Sequence, residues 1–110
     1  MNNSQYTLSY LPQFYVDFSN AVLYIKNELQ NPTAAKKLVG EVKKAIEKRL
    51  PNCEAFEPYI SKHERRYKYY RIYLRSYTIY YVVIDDDPSG QKKMEVRRLL
   101  VNRQNVSEII

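Results

Sequence analysis

The spacing of apolar residues changes period once along this chain, and that change sets its fold class. In residues 13–30 the apolar side chains Phe14, Phe18, Ala21, Val22, Ile25 and Leu29 recur every three or four positions, one stripe of a helix. Asn31-Pro32 ends this stripe and opens another, because Asn is a good N-cap and proline at the first helical position gives up no needed hydrogen bond. The second stripe runs to about Leu50, with Ala35, Leu38, Val39, Val42, Ala45, Ile46 and Leu50 inward and six Lys/Arg outward. A two-residue connection makes the pair an antiparallel hairpin. Residues 51–61 carry two prolines and no clear period, which reads as a loop. Beyond it, residues 67–75, 77–84 and about 92–101 are rich in Tyr, Val and Ile, the composition of strands. A tight turn near Ser76 and the loop at residues 85–90 divide them into a meander. Residues 6–10 alternate large apolar with small polar side chains, a half-buried first strand closed by Pro12. The order β-α-α-β-β-β predicts an α+β fold, a small antiparallel sheet with a mixed edge packed against an N-terminal helical hairpin.

Length and composition narrow the function. At 110 residues the chain is one domain, residues 1–110, and 45% hydrophobic residues suffice for a core. The only glycines, Gly40 and Gly90, stand too far apart for a phosphate-cradling loop, which excludes the common nucleotide-binding motifs. One cysteine, Cys53, and one histidine, His63, permit neither an internal disulfide nor a Cys/His zinc site. Cys53 reads as a packed small hydrophobe and His63 as a surface histidine beside Glu64. Asp85, Asp86 and Asp87 are consecutive in a turn, so they point in different directions and lack the spacing of calcium ligands. No metal and no cofactor is expected. Met1-Asn2-Asn3-Ser4-Gln5 shows no basic start followed by an apolar stretch, and no apolar run approaches the ~20 residues of a membrane helix. The expected location is the cytoplasm, away from membranes.

A net charge of +6 favours an anionic partner, and much of it is concentrated in one segment. Lys62, Arg65, Arg66, Lys68, Arg71 and Arg75 face the single acid Glu64, a local balance of +5. On a strand, Tyr67, Tyr69, Arg71, Tyr73 and Arg75 share one face, while Lys68, Tyr70, Ile72 and Leu74 share the other. Tyr alternating with Arg on an open sheet face suits RNA, because bases stack on the rings and guanidinium groups meet phosphates. The plainer reading of the same pattern is a solvated face whose Tyr rings cover Arg stems. Arg97, Arg98 and Arg103 return at the end of the last strand and extend the patch. Once one face of each helix has packed on the sheet, Tyr15 and Tyr24 remain for a partner.

Taken together, these segments resemble the RelE/ParE superfamily, the toxin halves of bacterial type II toxin-antitoxin pairs. Tyr24-Ile25, the run from Asn31-Pro32 to Leu38, Ala45-Ile46 and Pro51 are similar to the helical hairpin of that family. Tyr70-Arg71-Ile72-Tyr73-Leu74-Arg75-Ser76 and the following residues 77–85 resemble the central hairpin of RelE-like toxins. Residues 96–106, with Arg103, resemble the last strand and the Arg-containing C-terminal signature.

The resemblance implies a toxin that arrests growth by cutting ribosome-bound mRNA, a metal-independent endoribonuclease in which basic and Tyr side chains act on the 2′-hydroxyl, phosphate and leaving oxygen. By position it carries Arg71, Arg75 and Arg103 over as basic residues of the site, Arg71 and Arg103 with Tyr73 being the catalytic candidates, while the basic patch itself offers Lys62, Arg65, Arg66, Lys68, Arg75 and Arg98 for binding RNA. Its implied partners are the ribosome, mRNA and a cognate antitoxin with an acidic tail. ParE-like members instead poison DNA gyrase, and an inactive member would only bind its antitoxin. The chain departs from the RelE pattern at three places. Thr78 stands where an Arg is usual, Tyr73 where a lysine is common, and Asn102, Gln104 and Ser107 offer no counterpart of the C-terminal His or Tyr. An acid-base role would then fall to Tyr73, Lys68 or His63.

Overall fold

The computed structural model describes residues 5–110; Met1 to Ser4, on which most of the expectation of no leader rests, lie outside it. Strand β1 (Tyr6–Tyr10) leads into helix α1 (Pro12–Leu23), a π-helical turn (Tyr24–Glu28) and helix α2 (Pro32–Arg49). Strands β2 (Tyr69–Tyr73), β3 (Tyr77–Ile84) and β4 (Lys92–Val101) follow, and a short helix α3 (Val106–Ile109) closes the described chain. The α+β class holds, with a four-stranded mixed sheet ordered β1-β4-β3-β2 rather than by sequence. β1 runs parallel to β4, while β2, β3 and β4 form the antiparallel meander. Three elements were not expected from the sequence: the π turn inside the hairpin, a 3-10 turn (Leu50–Asn52) after α2, and the closing helix.

Local chemistry explains how the hairpin forms. Pro12 occupies the first turn of α1, and Leu11 is anchored to the sheet by its N–H bond to the Val96 carbonyl at 2.9 Å. At the far end the backbone widens. Leu29 N–H bonds the carbonyl of Tyr24 at 3.1 Å and Asn31 N–H bonds that of Ile25 at 3.0 Å, so the helix unwinds into Gln30, whose φ is 49°. Asn31 then caps α2, its side-chain oxygen accepting the Ala34 N–H at 3.0 Å. The extra residue in the π turn rotates Leu29 off the apolar stripe, leaving it 56% exposed, and Val39 also faces solvent. Both had been expected inward.

The main core lies between the hairpin and one sheet face, where Phe14, Leu38, Val42 and Ile46 meet Ile72, Ile79, Tyr81 and Val96. Arg49, expected outward, turns in to fasten α2 to the sheet. It donates to the Arg71 carbonyl at 3.0 Å and to the Tyr81 hydroxyl at 2.9 Å, and its guanidinium lies 3.5 Å above the Phe56 ring. A second, smaller core forms on the opposite face, where Tyr69, Tyr80, Val82 and Leu100 pack with Ile110.

Two unpaired stretches of strand take partners from outside the sheet, which blunts them against further pairing. β1 pairs with β4 only as far as Val96. Beyond it, Asp17 of α1 accepts the Leu99 N–H at 3.0 Å and holds the Arg98 guanidinium at 2.8 and 3.1 Å. On the outer edge of β2, Tyr59 forms an antiparallel bridge with Tyr69. Among the described residues no helix is long and apolar enough to cross a membrane.

Candidate nucleic-acid interface

β2 alternates as its sequence implies. Tyr70 and Ile72 enter the main core, while Tyr69, Arg71 and Tyr73 occupy the other face. Register places Arg71 opposite Tyr80 and Tyr73 opposite Thr78. The Arg71 guanidinium lies 4.9 Å from the centroid of the Tyr59 ring and 5.4 Å from that of Tyr73. Tyr59 in turn meets the Tyr80 ring edge-on at 5.9 Å. Tyr73 is 66% exposed, and among the described residues no carboxylate pairs with Arg71. The result is a cation held between two aromatic rings on an open surface. Such a group can receive a phosphate while the rings stack on bases.

The face is less open than its alternation suggests. Ile109 and Ile110, with Val106, pack over Tyr69, Tyr80, Val82 and Leu100, so only the Arg71–Tyr73 end remains uncovered. Several of the expected RNA-binding cations hold this cover in place. Lys62 pairs with Glu108 at 2.5 Å, and Arg65 donates to the backbone oxygens of Ile109 and Ile110. The Ser61 hydroxyl also donates to the Ile110 oxygen, at 2.5 Å, and the His63 ring contacts the Ser107 carbonyl oxygen at 3.1 Å. Arg66 pairs with Asp86 at 2.5 Å, and the Tyr67 hydroxyl donates to the same carboxylate at 2.9 Å. These bonds hold Asp86 below the ordinary carboxylate range, Arg66 contributing most. Arg66 and Asp86 are solvent-exposed, so this pair contributes little stability.

The remaining candidates are spread around the molecule. Lys68 is exposed, and Arg75 is exposed on the β2–β3 turn. Arg98 is held by Asp17, and its side chain is only 26% exposed. Arg103 lines a cleft of about 370 Å³ together with Tyr24, Tyr77, Asp17 and Gln104. Tyr77 belongs to the helix-side packing, so Arg103 sits with the hairpin rather than with Arg71. The structure therefore unites Arg71 and Tyr73 and leaves Arg103 outside their site.

Thr78 has a structural task. It is buried, and its hydroxyl donates to the Asn102 side-chain oxygen at 2.6 Å. Asn102 continues to the backbone of the β2–β3 turn, donating to the carbonyls of Arg75 at 3.1 Å and Ser76 at 2.9 Å. Sequence reasoning missed Tyr59, which lies in an aperiodic stretch, and Tyr80, which the two-residue alternation of β3 does place opposite Arg71. Arg97 was read only as an extension of the patch. It sits where the β3–β4 register shifts, bonded to Glu95 at 2.9 Å and to the Tyr69 hydroxyl at 3.2 Å.

Chemistry elsewhere is subdued. Cys53 is buried and desolvation pushes its thiol up to about 11, which suits packing and not nucleophilic attack. Glu54 accepts from the Tyr6 hydroxyl at 2.7 Å and from Lys92 at 2.9 Å, ties that lower its pKa and pin β1 and β4 to the segment after α2. Among the described residues no group of His, Cys, Asp and Glu is arranged to hold a metal ion. No family model, no curated protein and no solved structure matches the chain.

Proposed function

We propose that this chain is a toxin of the RelE/ParE kind, acting in the cytoplasm, whose Arg71–Tyr73–Tyr59 surface engages ribosome-bound mRNA and promotes its cleavage without a metal. The observation that carries this reading is the Arg71 guanidinium, free of any carboxylate partner among the described residues and set between two tyrosine rings on uncovered sheet. A fixed cation there stabilises charge developing on a phosphate, and Tyr73, exposed beside it, is placed to handle a proton on the ribose hydroxyl or the leaving oxygen. The basic charge of the whole chain draws RNA toward this face. An acidic antitoxin segment laid over the same surface would block it.

A second reading has its own observation. Thr78 is locked to Asn102 and Arg103 belongs to a separate cleft, so the Arg71 site holds fewer cations than a RelE-type nuclease uses. That favours binding without cleavage, as in a gyrase inhibitor or a member that only holds its antitoxin. The two readings separate when the chain is induced alone in a bacterial host and new mRNA 5′ ends are mapped within minutes. Cuts within reading frames that vanish in Arg71→Ala and persist in Arg103→Ala are the expected result, with loss on the order of 10² to 10³ in cleavage rate for Arg71→Ala. Growth arrest without cuts transfers the assignment to gyrase, and growth without arrest leaves antitoxin binding alone.

A further inference from the structure

The cleft beside Arg103 runs between the last turns of α1 and the stretch of β4 that β1 does not pair, with Tyr77 and the residues after β4 completing it. At about 370 Å³ it stands near the lower end of the ~300 to 1,000 Å³ of small-ligand sites, room for a small molecule and not for a helix. Its one carboxylate is saturated. Asp17 Oδ1 accepts from Gln13 and Arg98, and Oδ2 from Arg98 and the Leu99 N–H, so both oxygens already hold two hydrogens each.

The remaining polar groups of the lining can all donate. The side chains of Arg103, Asn20, Tyr24 and Tyr77 make no hydrogen bond or ion pair with another described residue. Gln104 uses its side-chain oxygen on the Val101 N–H at 3.1 Å, which leaves its amide nitrogen as the unengaged end. Two guanidinium groups stand against one carboxylate, and because Asp17 holds Arg98, the single uncompensated charge belongs to Arg103. Apolar surface surrounds these donors. Ala21 and Leu99 are buried behind them, and the Tyr24 ring is 44% exposed at the mouth. Burial pushes the Tyr77 hydroxyl above its ordinary value, with Tyr24 adding to the rise and the charge of Arg103 opposing it, so the three groups act on one another across the cleft.

This lining selects its ligand. A cation or a ligand rich in donors finds no acceptor to match it, whereas an acceptor finds several donors around one fixed positive charge. One uncompensated charge calls for one negative charge, and two tyrosine rings over an apolar floor call for a flat apolar body. We propose that the cleft binds a carboxylate carried on a flat apolar ring, the carboxylate meeting Arg103 and the ring lying against Tyr24 and Tyr77. A free aromatic acid and the aromatic C-terminal residue of a peptide share this chemistry. The proposal stands independently of the function assigned to the Arg71–Tyr73 surface, which lies on the sheet face away from the hairpin.

The chain contains no tryptophan, so the fluorescence of indoleacetate, excited beyond the tyrosine band, reports binding to the purified full-length protein without background. Saturable binding with a dissociation constant of about 1 mM or tighter is expected, the scale that ordinary ligand efficiency gives a molecule of this size. Indoleacetamide, its neutral counterpart, should bind at least about tenfold more weakly. Arg103→Gln, at an exposed position, and Tyr24→Ala should each weaken indoleacetate at least about tenfold with the circular dichroism of the wild type retained. Lys43→Ala on the outer face of α2 should leave binding unchanged. Acetyltryptophan bound more tightly than indoleacetate assigns the site to a peptide terminus, and the reverse order assigns it to a free acid; both orders support the carboxylate. Equal binding of acid and amide, wild-type affinity in Arg103→Gln, no saturation by about 10 mM, or displacement of indoleacetate by oligouridylate at lower concentration than by unlabelled aromatic acid would overturn the proposal.

Discussion

Asp17 carries three bonds at the place where β1 stops and β4 continues, taking the Leu99 N–H that a longer β1 would otherwise have faced and holding Arg98 beside it. Its side chain is only 9% exposed while that of Arg98 is 26% exposed, so the pair is partly desolvated. Asp17→Ala strands both the cation and the backbone donor, and should cost about 2 to 3 kcal/mol, below the full range for buried pairs because Arg98 reaches water. Asp17→Asn keeps an acceptor and should lose about half as much. Urea unfolding followed by circular dichroism checks both, and equal stability of Asp17→Ala and the wild type would show that the edge needs no such cap. None of this was legible in the sequence, where Asp17 is one polar position beside an apolar stripe and Arg98 one more cation near a strand end. Arg49 was misread for a related reason. Spacing put it with the outward lysines, but a guanidinium can reach inward along its stem and find the Tyr81 hydroxyl and Phe56 ring.

At the scale of elements, what repeats was readable and what occurs once was not. The helical stripes, the Asn31-Pro32 boundary and the three strands of the meander follow from periodic burial, and each appears near its expected place. β2 is shorter than expected, Tyr69–Tyr73 instead of residues 67–75, because Tyr67 bends away to Asp86. The π turn has no periodic signature, and it rotates Leu29 into solvent. α3 is only four residues long, too short to show a helical period at all, yet with the adjoining Ile110 it covers Tyr69, Tyr80, Val82 and Leu100 on the face that alternation had suggested was open. The junction at Asn31 is the point where both helices depend on one side chain. Its oxygen satisfies the Ala34 N–H, and its own N–H closes the π turn onto Ile25. Asn31→Ala removes the first bond and keeps the second, so it should destabilise the fold by about 1 kcal/mol, while Asn31→Asp or Asn31→Ser should be nearly neutral. Denaturant midpoints with unchanged slopes would confirm a cap effect. A change in slope would mean that the hairpin had repacked.

For the molecule as a whole, the twelve tyrosines of the sequence replace much of the aliphatic core that a chain of this length would ordinarily carry. Composition announced them, but it could not say which hydroxyls are shut away from water, since that depends on two packing layers on opposite sheet faces. Burial pushes the hydroxyls of Tyr10, Tyr70, Tyr77 and Tyr80 above their ordinary 10.0, and that of Tyr81 up to about 12 despite the opposing pull of Arg49. Tyr6 is raised too, mainly by its bond to Glu54. A group whose pKa is higher folded than unfolded leaves stability intact below the unfolded value. Above it the unfolded chain releases a proton that the folded chain keeps, so stability falls as pH rises. The affected window opens near pH 10 and, for Tyr81, extends to about 12. Within it each such tyrosine steepens the loss by up to about 1.4 kcal/mol per pH unit, and several acting together should produce a cooperative alkaline unfolding. Tyr80→Phe, which deletes one buried hydroxyl from the smaller core, should make that loss less steep. Absorbance of tyrosinate near 295 nm, recorded with circular dichroism along one titration, provides the check. The buried fraction should ionise together with loss of secondary structure, and smooth ionisation of all the tyrosines with the fold intact would show that these hydroxyls reach water.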